Sequence, residues 1–119
     1  MNSTSAPIRT QIADWQLRTV MSLAVLAQKA ETISYDGLAQ AADVPSPHRI
    51  HKLTSYLEQL IEEDIAANAP IRAALVISKV RGLPAPGFFE TLSRCGISFD
   101  EANLSASHHD LLVALNPAF

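Results

Sequence analysis

The residues of this chain that could do chemistry are few: four histidines, one cysteine and twelve carboxylates. His108-His109-Asp110 is the densest cluster of metal-binding types. Adjacent residues on a helix point about 100° apart, so the two imidazoles diverge and do not converge on one ion. Cys95 would need a base and an orienting group beside it to act as a nucleophile. A lone cysteine on a short helix reads instead as a small buried apolar residue. Asp14, Asp36 and Asp43 have no spacing that pairs carboxylates for acid–base work. The stretch Gly82 to Gly87 holds two prolines, which supply no N–H to cradle a phosphate. The residues therefore predict a non-enzyme, with no catalytic residue, no metal and no cofactor.

The more informative pattern is electrostatic. His48, Arg49, His51 and Lys52 crowd the start of a long apolar-striped segment, and Glu62, Glu63 and Asp64 crowd its end. A helix N-terminus is partially positive and favours acids, while its C-terminus favours bases, so these charges run against the dipole. One explanation is that the basic turn faces an anion, with Arg49, Lys52, Ser55 and Tyr56 as outward contacts on a recognition helix. The other is that these charges pair inside the protein, for example with Asp36 or Asp43.

The elements that must position these residues can be read from periodicity. Residues 1–7 are small and polar and read as a tail, with one domain over 8–119. Ile8 to Ala30 reads as one helix that is apolar nearly all round, with Ile12, Trp15, Leu23 and Leu26 on one face and Leu17, Val20, Met21, Ala24 and Val25 widening it. Such a helix is expected to be central and buried. A short helix follows from Tyr35 to Ala42, and Asp43-Val44-Pro45 breaks it. A helix is predicted from Pro47 to Ala67, capped by Ser46, with Ile50, Leu53, Leu57, Leu60, Ile61 and Ile65 as its core stripe. Ala73 to Val80 reads as a strand, 81–87 as a loop, Phe88 to Cys95 as a short helix, and a last helix begins near Ser107, with Asp110 three residues on. Phe88 and Phe89, after the stiff loop, are expected to pin it to the core. The fold class expected from this order is mainly α with a small β element, a helix-turn-helix of winged-helix type with a reduced wing.

Composition narrows the partners. Apolar residues make up 48% of the 119 and charged residues 18%, which suits one packed domain. No apolar run reaches the ~20 residues that span a bilayer, and the N-terminus shows no secretory pattern. With a single cysteine, the expectation is a cytoplasmic protein without a membrane partner. The net charge of −3, with His neutral, weighs against a duplex-DNA binder, whose affinity comes from neutralising phosphates.

The segments ISYDGLAQAADVPSPHRI and PIRAALVISKVRGLPAPG resemble the DNA-binding half of the O6-alkylguanine-DNA alkyltransferases and alkyltransferase-like proteins. Tyr35-Asp36-Gly37-Leu38-Ala39 stands where that family has its Tyr-Gly-x-(Leu/Ile)-Ala helix, and Pro45-Ser46-Pro47-His48-Arg49 where it turns into the helix bearing an intercalating arginine. The resemblance spans about residues 33–87. It implies a winged-helix fold and minor-groove contact, with Tyr35 near a phosphate or a rotated nucleotide. The alkyl-accepting cysteine would fall near Ala73 and is absent, and the finger position falls on His48 in register, with Ile50 two residues on. Alkyl transfer is therefore not implied.

The first functional expectation is a non-catalytic DNA-binding or DNA-associated protein. Its contacts would be Tyr35, His48, Arg49, Lys52, Ser55 and Tyr56, joined by Lys79 and Arg81 on the following loop. The alternative is a winged-helix-like protein–protein module without a nucleic-acid ligand, pairing as a homodimer through the apolar first helix. Whether Arg49, Lys52, Lys79 and Arg81 share one face separates the two.

Overall fold

A computed structural model describes residues 12–119. The expected tail 1–7 and the first residues of the expected first helix lie outside them. Among the described residues the chain is mainly helical, with one two-stranded sheet.

Helix α1 spans Asp14–Lys29, with an acid in its first turn and a base in its last, as the dipole favours. Ala30 closes it in the left-handed conformation, and the Asn116 side-chain amide donates to the carbonyls of Ala27 and Gln28. Strand β1, Ile33–Ser34, leads directly into helix α2, Tyr35–Ala41. The Ser34 hydroxyl accepts the Gly37 N–H and so caps α2. That closeness favours glycine: a Cβ on Gly37 would lie 3.0 Å from the Ser34 hydroxyl oxygen, tight enough to push it aside by a few tenths of an ångström.

Helix α3 spans Arg49–Ala66. Its expected start is corrected by two residues. Ser46 makes no cap; the Ser46–Pro47 peptide is cis, and both residues sit in the turn between α2 and α3. His48 occupies the N-cap in the left-handed region. Leu53, Leu57, Leu60 and Ile61 are buried, as the periodicity requires, whereas Ile50 is 42% exposed.

The expected strand over 73–80 is mostly something else. Arg72–Leu75 is a single 3-10 turn, and only Val76–Ile77 is extended, as strand β2. Two donors of this segment are drawn away from a sheet: Asp64 accepts the Arg72 N–H, and the Ile71 carbonyl accepts the Ala74 N–H. β2 pairs in parallel with β1, Ile33 opposite Val76 and Ser34 opposite Ile77. Helix α4, Pro86–Arg94, starts with proline where no N–H is needed. Helix α5, Leu104–Leu115, begins three residues before the expected site because Asn103 caps it, accepting the Ala106 N–H. The Ser107 hydroxyl instead accepts the Asp100 N–H.

The core gathers Leu23, Leu38, Leu53, Leu60, Ile61, Leu75, Val76 and Leu92 around the 3-10 turn. Phe88 packs edge-on to Phe89, which also meets Phe99, so these aromatics anchor the loop before α4. Helix α1 is not the buried central helix that its composition predicts. Thr19 and Leu23 are buried, while Leu17, Met21 and Val25 are 48%, 59% and 48% exposed. No helix among the described residues is long and apolar enough to cross a membrane.

Asp64 is 5% exposed, and its carboxylate accepts both the N–H and the guanidinium of Arg72. Asp64→Ala leaves that half-buried N–H and the guanidinium without their partner and should lower the unfolding free energy by about 3 kcal/mol in urea titrations. Asp64→Asn, which keeps an acceptor, should cost less.

Candidate functional site

The residues expected to contact a nucleic acid separate when the chain folds. Arg49 does not point outward. Its Nε donates to the Val44 carbonyl and its Nη2 to the Ala39 carbonyl, 3.0 Å away. From the other side Arg18 of α1 donates to the Ala42 carbonyl at 2.7 Å and reaches that of Asp43. Two guanidinium groups thus close the open end of α2 and the turn after it, where the helix dipole is negative. Lys52 joins them, donating to the Pro45 carbonyl at 3.1 Å. The reversed charge of α3 follows from packing: its first turn abuts the C-terminus of α2. The internal partners are main-chain carbonyls, not the carboxylates of Asp36 or Asp43 considered above.

The acidic end of α3 is likewise engaged. Asp64 holds Arg72, and Glu62 meets Arg94 of α4 at 3.1 Å on the surface.

Tyr56 also departs from its expected outward position. It is 6% exposed and packs edge-on against Trp15, ring centres 5.5 Å apart. Burial raises its phenol above the ordinary range, and Glu63 adds to that. With His51, Lys52 and the exposed Ser55 it lines a shallow groove of about 270 Å³ between α1 and α3.

Tyr35 lies elsewhere. Its hydroxyl accepts the Ala85 N–H at 2.8 Å, tying the start of α2 to the start of α4. Burial raises its phenol too, and that hydrogen bond opposes the shift. Tyr35 shares a groove of about 420 Å³ with Asp36, Ile50, Thr54, Ile77 and Lys79. Arg81 lines a different groove, with Phe89, Phe99, Glu90 and Glu101. His48 is exposed in the turn. Arg49, Lys52, Lys79 and Arg81 line no common groove.

Lys79 and Arg81 do share a loop, closed by the Gly82 N–H on the Ser78 carbonyl and the Ser78 N–H on the Leu83 carbonyl. Val80 at its tip is 94% exposed.

The other candidates resolve simply. His108 is buried, its Nε2 2.8 Å from the Ala74 carbonyl, while His109 is exposed. Among the described residues no group of three or more His, Cys, Asp or Glu side chains could hold a metal ion. Cys95 is a half-buried free thiol at the end of α4.

The apolar first helix, named above as the pairing surface of the alternative reading, turns to solvent an outward face that the buried-helix expectation did not foresee. Leu17, Met21 and Val25 recur every four residues, and the groove beside them is lined by Ser22, Leu26, Ile33 and Ala41. The signal was the surplus itself: one helix carried apolar residues for two faces, and the core takes one. In comparisons with known proteins, no family model, curated protein or solved structure matches the chain.

Two measurements test these assignments. Arg49→Ala should lower stability by about 2 kcal/mol, because charged hydrogen bonds to the α2 end are lost. Arg49→Lys should recover only part of it, since an ammonium cannot reproduce the fork. Burial also holds the His108 imidazole below its ordinary value, with the Ala74 hydrogen bond opposing that shift. The unfolded chain then takes up this proton at a higher pH than the folded one. Stability is complete above the ordinary histidine value of 6.5 and falls as the pH drops through the depressed folded value. Thermal melts from pH 7.5 downward should show that loss, and His108→Gln should reduce it.

Proposed function

We propose that this chain is a non-catalytic protein-interaction module that docks through the outward face of α1. One observation carries the reading: Leu17, Met21 and Val25, about half exposed, form a continuous apolar stripe beside an apolar groove. Such contiguous patches on a small domain mark interaction surfaces more often than isolated exposed residues do.

A winged-helix-like frame is part of this reading, supported by the element order: β1 lies between α1 and α2, α3 follows α2 after a short turn, and β2 follows α3, with the 78–83 loop standing for a wing. A reducing compartment such as the cytoplasm suits a chain whose one cysteine is a free thiol.

A second reading is favoured by one feature, the loop tip Lys79-Val80-Arg81. An exposed apolar residue between two cations is the type of wedge that minor-groove binders insert. That reading keeps the alkyltransferase-like resemblance in play, with Lys79, Arg81 and Tyr35 rather than Arg49 and Lys52 as contacts. It must overcome a net charge of −3.

Fluorescence anisotropy of labelled duplex and single-stranded DNA, titrated with protein across a range of salt, decides between them. The expected result is no saturable binding at micromolar protein, even at low salt. Binding that weakens steeply with salt and disappears in Lys79→Ala, Arg81→Ala would overturn the interaction-module reading in favour of DNA.

A further inference from the structure

We propose that the partner fitting this face is a second copy of the chain, laid antiparallel across α1 with a twofold axis at Met21. This rests on reading α1 as the docking face, takes up the homodimer of the alternative expectation, and adds its axis and direction.

Helix geometry defines the face. At about 100° per residue, Asp14, Leu17, Val25 and Gln28 all project within about 40° of Met21. Thr19 and Leu23 project within about 20° of the opposite direction. The exposures agree: the first set is exposed, and the second is fully buried at 0% each.

The face is close to palindromic about Met21. Leu17 and Val25 stand four residues to either side, Asp14 and Gln28 seven. A twofold axis there sets Met21 against Met21 and Leu17 of each copy against Val25 of the other, as an isologous interface requires. The groove lined by Val25, Leu26, Ile33 and Ala41, about 350 Å³, opens beside Val25. The other copy's Leu17 comes down on the opposite flank of Val25, against Ala24, and symmetry makes that contact twice.

Charge fixes the direction. Asp14 lies in the first turn of α1 and Lys29 in the last. An antiparallel copy brings Asp14 beside Gln28 and Lys29 of the other copy at both ends, with opposed helix dipoles. A parallel copy would stack Asp14 on Asp14 and Lys29 on Lys29 with dipoles aligned. Arg18, which flanks the stripe, is held back on the Ala42 carbonyl. It therefore places no pair of like charges across the interface.

A helix of 16 residues is about 24 Å long, so the interface is at the small end and the dimer should be reversible in the micromolar range.

Sedimentation velocity over a concentration series should show a monomer–dimer equilibrium. Met21→Glu should weaken it about 100-fold, since each dimer would bury two facing carboxylates. Its thermal melt, extrapolated to low concentration, should match that of the parent, because Met21 is largely in solvent. Direction is read by disulfide trapping in a Cys95→Ala background. Met21→Cys should cross-link to itself. Leu17→Cys should cross-link to Val25→Cys in a mixed sample and not to itself, because antiparallel copies set the two Leu17 positions about 12 Å apart along the axis. A chain that stays monomeric at every concentration overturns the proposal, as does a dimer indifferent to Met21→Glu. Self-cross-linking at position 17 overturns the antiparallel arrangement. The DNA titration above, repeated on the Met21→Glu monomer, keeps the two readings apart. A monomeric chain that ignores DNA loses only the second copy as partner, whereas salt-sensitive DNA binding removes the docking reading itself.

Discussion

The Asp64 carboxylate holding the N–H and guanidinium of Arg72 is the contact on which the architecture depends. It turns the chain leaving α3 into the 3-10 turn Arg72–Leu75, and that turn is where the layers meet. Ala73, Ala74 and Leu75 are buried against α1, α3 and α5. His108 of α5 grips the same turn at the Ala74 carbonyl. The two residues that follow pair with β1 and so place α2. A buried carboxylate left without Arg72 would be costly, and Arg72 supplies it with three donors, the N–H, Nε and Nη2. The salt bridge therefore specifies where the chain turns.

The arginines at the other end of α3 follow the same logic. The short turn between α2 and α3 brings the open carbonyls of α2 against the start of α3. Those carbonyls need donors that a short turn cannot supply. Arg18 and Arg49 deliver them from opposite sides, and Lys52 extends the set to Pro45. Arg49 defies its own helix dipole because it serves that of its neighbour. A dipole-violating charge is thus ambiguous until the packing partner is known.

That ambiguity shows what could be read from residues alone. The helical order was legible, because Leu53, Leu57, Leu60 and Ile61 keep a 3.6-residue period and Gly96 and Asn116 mark ends. The 73–80 strand was not. Its β-branched composition fits an extended chain, but the hydrogen bonds that bend it come from Asp64, eight residues away from Arg72, and from Ile71. The caps at His48 and Asn103 escaped for a related reason: more conventional signals at Ser46 and Ser107 lay close by. Of the expected contacts, Tyr56 was misplaced because an amphipathic tyrosine reads as surface until Trp15 is found across from it.

The balance of charge over the whole fold bears on what the surface is for. Arg18, Arg49 and Lys52 serve main-chain carbonyls, while Arg72 and Arg94 serve carboxylates of α3. These engagements use most of the chain's nine cations to build the fold, in a molecule of net charge −3. A phosphate backbone is attracted by a field, and a field needs cations of one sign gathered on one side. Of the four predicted cations, only Lys79 and Arg81 stay together, on a single loop. The α1 stripe differs in kind. It carries no charge between Asp14 and Lys29 except Arg18, which is turned toward α2, and its apolar side chains add nothing to the core beneath. Leu17, Met21 and Val25 leave about half of their surface in water. A partner that covered them would recover roughly 25 cal/mol for each Å² buried, and that imbalance is the physical ground of the docking face proposed above.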